Sequence, residues 1–118
     1  MTIQTVFSRL NKQFVHQYDS EILMAWINDL ERDISQRFLY PTFSSTPTEY
    51  TERISESDDL IAEDPDIYIQ YLICQICLAN EEYDRYNNHM AIFNQKMQEW
   101  KDWYIRTHRP VYKGKFKV

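Results

Sequence analysis

Apolar positions along this chain fall into four blocks, each with helical spacing. In the first, Ile3, Val6, Phe7 and Leu10 recur at steps of three, one and three. That predicts a short helix over about residues 2 to 12, with Thr2 able to cap it. Val15, His16 and Gln17 form a connection. In the second block, Ile22, Leu23, Trp26, Ile27, Leu30, Ile34 and Phe38 share one stripe. Asn28, Asp29, Glu31, Arg32, Ser35 and Gln36 fall largely on the other side. The second helix should begin at Asp19 or Ser20 and end before Pro41.

Regularity is lost between residues 41 and 65. Pro41, Ser44, Ser45, Pro47 and Thr48 mark a loop. Glu49 to Ile54 alternates in part and predicts one short strand or coil. From Glu49 to Asp66 there are eight acidic residues and one basic residue, Arg53, which reads first as a solvated acidic loop. A loop this long in a small domain also invites a functional reading.

The third block opens on a strong start signal. Asp64 suits the N-cap, Pro65 the first helical position, and Asp66 the positive end of the helix dipole. The run IYIQYLICQICLA follows, apolar nearly all round apart from Gln70 and Gln75. A helix with that pattern is surrounded by protein and predicts the centre of the domain.

In the fourth block, Tyr83, Tyr86, Met90, Phe93, Met97, Trp100 and Tyr104 recur at alternating threes and fours. This is an aromatic seam on a helix from about Glu81 to Thr107, about 40 Å long. Asn80 is the expected break before it, since asparagine tolerates the left-handed backbone that ends many helices. The alternative is one unbroken helix from 65 to 107. The seam from Tyr83 to Met97 is expected to be core. The seam from Trp100 to Tyr104, Trp103 beside it and the terminal residues are expected to meet another subunit. The fold class that follows is all-α: a small bundle of about four helices, with a long acidic loop between the second and third and an extended basic C-terminal tail. Residues 1–110 would form the helical domain and 111–118 an extended or disordered tail.

Composition narrows the chemistry. The 118 residues suit one domain. Gly114 is the only glycine. Phosphate-cradling loops need several glycines, so P-loop and dinucleotide-binding functions are excluded. The net charge is −5, and −8 without Lys113, Lys115 and Lys117. Such an acidic body is a poor general nucleic-acid binder. The first ten residues lack a secretory pattern, and no run reaches the 18 apolar residues of a membrane span. A reduced, cytoplasmic protein is expected.

Cys74 and Cys77 form a C-x-x-C pair, but in mid-helix among Leu72, Ile73, Ile76 and Leu78, and without a second pair. They read as packing residues and not as a redox or zinc motif. His16, His89 and His108 are scattered, with His108 placed to meet the last carbonyls of its helix. Glu81, Glu82 and Asp84 read as helix-start residues and not as a catalytic carboxylate pair. No activated nucleophile is evident, so no enzyme, cofactor or metal is expected.

The segment IYIQYLICQICLANEEYDRYNNHMAIFNQKMQEWKDWYIRTHRP resembles small head–tail connector (adaptor) proteins of tailed bacteriophages and prophages of Firmicutes. The resemblance extends over most of the chain. Its most specific parts are Gln17-Tyr18-Asp19, Trp26-Ile27-Asn28-Asp29-Leu30-Glu31, Asp84-Arg85-Tyr86-Asn87-Asn88 and Phe93-Asn94. One departure stands out: related sequences tend to place glycine where this chain has Glu81. The resemblance implies a non-enzymatic virion subunit at the head–tail junction. It would form a ring, commonly of twelve, between the portal protein and the next connector or tail protein. DNA would pass through its channel without specific binding, and no membrane is involved. On that reading Trp100, Trp103, Tyr104, Val111, Tyr112 and Phe116 are candidates for subunit contacts. Glu49, Glu52, Glu56, Asp58, Asp59 and Glu63 are candidates for an acidic channel wall that keeps DNA from adhering. The tail could add to a neighbour or to the portal as a strand or arm. A small cytoplasmic regulatory or binding module, dimeric through its last helix, is the alternative. A nucleic-acid-binding factor using the lysine tail is a third.

Overall fold

The computed structural model of the protein describes residues 2–14, 16–39 and 51–108. Among these residues there are four helices and no strands, an all-α bundle as expected. They are α1 (Ile3–Gln13), α2 (Ser20–Asp33), α3 (Pro65–Ala79) and α4 (Tyr83–His108). The helix of α2 widens at its end into a π-helical turn over Ile34–Leu39. Of the partly alternating stretch before α3, residues 51–54 have no regular structure, while Glu49 and Tyr50 lie outside the described residues.

Each start follows from local chemistry. The Asp19 carboxylate accepts the Ile22 amide at 3.2 Å, so Asp19 and not Ser20 caps α2. The Asp64 carboxylate accepts the Asp66 amide at 3.0 Å, and Pro65 occupies the first turn of α3. The start of α1 differs from expectation. Thr2 sits at the cap position, but its side chain makes no capping bond. The acidic loop takes over this role: the Asp58 carbonyl accepts the Ile3 amide at 3.1 Å, and the Glu56 carbonyl accepts the Gln4 amide at 2.8 Å. Thr2 and Asp59 form an isolated antiparallel bridge.

The break between α3 and α4 is a Schellman motif. The Glu82 amide donates to the Cys77 carbonyl at 2.8 Å and the Glu81 amide to the Leu78 carbonyl at 3.1 Å. Asn80 lies just before the turn at φ −87°, and Glu81 takes the left-handed conformation at φ 61°. The expectation that Asn80 would be left-handed is therefore corrected by one residue. The unbroken helix is excluded. Helix α4 begins at Tyr83, two residues later than expected.

The core forms around α3, which packs against α1, α2 and α4. Ile67, Tyr68, Ile69, Leu72, Ile73, Cys74, Ile76 and Cys77 are all buried, as an all-round apolar helix requires. Ile3, Val6, Phe7 and Leu10 of α1 are buried with them. From α2 come Leu23, Ile27 and Leu30, with Ile34 and Phe38 on the π turn. Ile22 departs from its predicted stripe and is exposed.

Candidate interaction surface

The acidic loop is fastened to the bundle by two polar side chains one helical turn apart on α2. The Asn28 carboxamide donates to the Arg53 carbonyl at 2.9 Å and accepts the Arg53 amide at 2.8 Å. Glu31 is fully buried, and its two carboxylate oxygens share the Ile61 amide at 3.2 Å each. The Tyr68 hydroxyl also bonds to Glu31 and accepts the Ala62 amide at 2.8 Å. Leu60 and Ala62 are thereby carried into the core. Burial holds the Glu31 carboxyl above its usual range, opposed by the bonds from Tyr68 and Ile61. The Tyr68 hydroxyl is pushed up by burial and by the Glu31 charge. Periodicity placed Asn28 and Glu31 on the outer face of the helix. That face is covered by a loop, which helical spacing does not foretell.

The proposed channel-wall residues divide accordingly. Glu52, Glu56, Asp59 and Glu63 are exposed. Glu52 lies 3.4 Å from Arg32. Asp58 accepts the Ser55 and Ile54 amides of its own loop at 3.0 Å each, which holds its carboxyl below the usual range. Glu49 lies outside the described residues.

The aromatic seam divides at a different place from the one expected. Tyr83 is exposed, Tyr86 and Met90 are half-buried, and Phe93, Met97 and Trp100 are buried. Phe93 packs on Tyr71 of α3, ring centres 5.4 Å apart. Trp100 is only 8% exposed, so it is a core residue of its own subunit and not an exposed anchor. The reason is the π turn, which carries Phe38 to within 5.7 Å of the Trp100 ring and 5.9 Å of Tyr104. Tyr104 is half-buried and stacks on His108 at 3.9 Å. His108 also lies 3.2 Å from the Tyr104 carbonyl, at the helix end as expected. Trp103 is 46% exposed. Val111, Tyr112 and Phe116 lie outside the described residues.

Two hollows lie along the outer side of α4 at this end. One, of about 440 Å³, is lined by Glu99, Asp102, Ile105 and Arg106. The other, of about 350 Å³, is lined by Glu63, Asp64, Lys96, Glu99, Trp100 and Trp103. Glu99 belongs to both. A third cleft of about 320 Å³, between α2, α3 and α4, contains Asp29, Asp33, Tyr71 and Lys101. Burial, with the charges of Asp29 and Asp33, pushes the Tyr71 hydroxyl up to about 12.

Both cysteines are free and buried, and burial is the main cause that pushes the Cys74 thiol up to about 11 and raises Cys77. They are poor thiolate nucleophiles at neutral pH. The Nδ1 atom of His89 lies 3.0 Å from the Gln70 side-chain oxygen, and Nε2 of His16 lies 2.8 Å from that of Asn11. Among the described residues, no group of three His, Cys, Asp or Glu side chains could hold a metal, and no helix is long and apolar enough to cross a membrane. Comparison with models of known families, with characterised proteins and with solved structures found no match to this chain.

Proposed function

We propose that this chain is a non-enzymatic structural subunit, a head–tail connector that assembles as a ring between portal and tail. The observation that carries this reading is the backbone of Glu81. The resembled family tends to place glycine at this position, and here the residue is left-handed at φ 61°. A left-handed C′ position is where glycine is favoured. A glycine there, as the resembled family tends to have, would suit this backbone, and that compatibility supports the reading. The exposed Trp103 supports the reading as a subunit-contact anchor, and exposed Glu52, Glu56, Asp59 and Glu63 support it as an acidic channel rim. A ring uses two different faces of each subunit, because its contacts are head-to-tail. In this reading the distal half of α4 supplies one of them.

Electron microscopy of the purified protein mixed with portal protein tests the proposal. Rings seated on portal are expected. Absence of both rings and portal binding, at concentrations where each protein is folded, would overturn it.

A further inference from the structure

We propose that the groove between α2 and α4 receives the outer ridge of α4 from a second copy of this chain. The two helices both pack on α3 but scarcely on each other, which leaves α3 as the floor between them. At one end the groove deepens into the cleft of about 320 Å³, where Asp29 and Asp33 of α2 face Asn94 and Lys101 of α4 across Tyr71. Helical spacing carries the same three faces toward the Glu81 turn. Ile22 stands seven residues before Asp29, Leu78 seven after Tyr71 and Tyr83 eleven before Asn94. These steps are about two, two and three turns, so each residue keeps the face of its counterpart. All three are exposed, by 40%, 42% and 58%. They stand at the end of the bundle away from Leu39 and His108.

The matching ridge is on α4. Among the described residues, the exposed large apolar side chains are Ile22, Ile54, Leu78, Tyr83, Ile92 and Trp103. Three of them line the groove and Ile54 belongs to the acidic loop. The other two, Ile92 and Trp103, are eleven residues apart on one outer face of α4, about 16 Å along its axis. Ile22 and Asp33, which span the groove along α2, are separated by the same distance. Charge is complementary as well. Arg85, Lys96 and Arg106 share the ridge with one acid, Glu99. The groove has two carboxylates and one ammonium, and the Lys101 ammonium is drawn aside, 5.5 Å from the centre of the Phe38 ring. Asp29 meets Arg32 at 3.5 Å and Asp33 meets Arg37 at 3.0 Å, exposed pairs that a cation of the partner subunit can displace at little cost. Ridge and groove are different surfaces of one subunit, so the contact is head-to-tail. The inference rests on the connector reading, in which subunits associate head-to-tail, and names the second face of that contact.

Complementation between two variants tests it. W103E keeps the groove and loses the ridge, whereas L78E keeps the ridge and loses the groove. Y83E replaces L78E if that protein does not fold. Isotope-labelled W103E is titrated with either unlabelled variant and followed by nuclear magnetic resonance at about millimolar concentration, which registers contacts as weak as about 1 mM in Kd. Unlabelled L78E should shift the Trp26 indole and the amides of Tyr71, Leu78 and Tyr83. Unlabelled W103E should shift none of them. D29N/D33N in the labelled chain should weaken the contact about three- to tenfold. Absence of the shifts with L78E would overturn the proposal, and so would equal shifts with both variants. If rings still form on portal in either event, the groove assignment fails and the connector reading stands. If the variants complement while portal draws no rings, the groove assignment stands and the connector reading fails.

Discussion

Asn28 reads both backbone groups of Arg53, donating to the carbonyl at 2.9 Å and accepting the amide at 2.8 Å. The pair joins residues 25 apart in sequence and imitates one rung of a β-ladder with a side chain. Asn28→Ala removes both bonds at a buried position and should cost about 1–3 kcal/mol. Hydrogen exchange should then quicken at Arg53 and at Ile3 and Gln4, whose amides depend on the same loop. Equilibrium denaturation and exchange on the variant check this.

Glu31 makes stability depend on pH in a direction opposite to most carboxylates. Its folded-state pKa is raised, chiefly by burial. The folded state therefore binds the proton more tightly than the unfolded chain, whose glutamates titrate at about 4.3. The stabilisation from protonation is full below that value and is lost as pH rises through the folded pKa. Glu31→Gln should remove this slope while retaining an acceptor for the Ile61 amide. Denaturation midpoints of wild type and variant, followed upward from about pH 4.3, should converge at the acid end. Parallel curves would sink the assignment.

At Glu81 the left-handed backbone costs a residue with a Cβ roughly 1–2 kcal/mol, while glycine loses roughly 0.5–1 kcal/mol in chain entropy. Glu81→Gly should thus raise stability by about 0.5–1 kcal/mol, and Glu81→Val should lower it. Thermal denaturation ranks the three proteins.

Two tryptophans three residues apart should behave oppositely. Trp100 fills the space between α4 and Phe38, so Trp100→Ala should cost about 3–5 kcal/mol. Trp103→Ala should change stability by less than about 0.5 kcal/mol. If Trp103 anchors subunit contacts, that variant should fold normally and fail to assemble on portal. Normal assembly would remove Trp103 from the interface.

Cys74, with its thiol pushed up to about 11, should resist alkylation. Near pH 8 only about one thiol in a thousand would be ionised. Modification of native protein followed by mass spectrometry should leave Cys74 unlabelled until denaturant is added.

Helix content was legible because capping residues and apolar spacing act locally. Asp19, Asp64 and Pro65 announce their helices in two or three residues, and the all-round apolar pattern of α3 correctly identified the centre. What escaped was tertiary. Asn28 and Glu31 look like surface residues because their partners, Arg53, Ile61 and Tyr68, lie 25 to 37 positions away. The burial of Trp100 depends on a π turn that no periodicity marks. The left-handed residue fell on Glu81 because the two Schellman bonds, and not side-chain preference at Asn80, set the phase of the turn.

The borrowed cap of α1 bears on the order in which the chain is made. An eleven-residue helix is marginal by itself, and two of its unpaired amides find acceptors only at Glu56 and Asp58. Its apolar face rests on α3, which is translated later still. Helix α1 thus waits for the acidic loop and α3 to be made before it can be secured. Until then Ile3, Val6, Phe7 and Leu10 stay open to water or to a chaperone, and an interruption of synthesis within the acidic loop would leave them so.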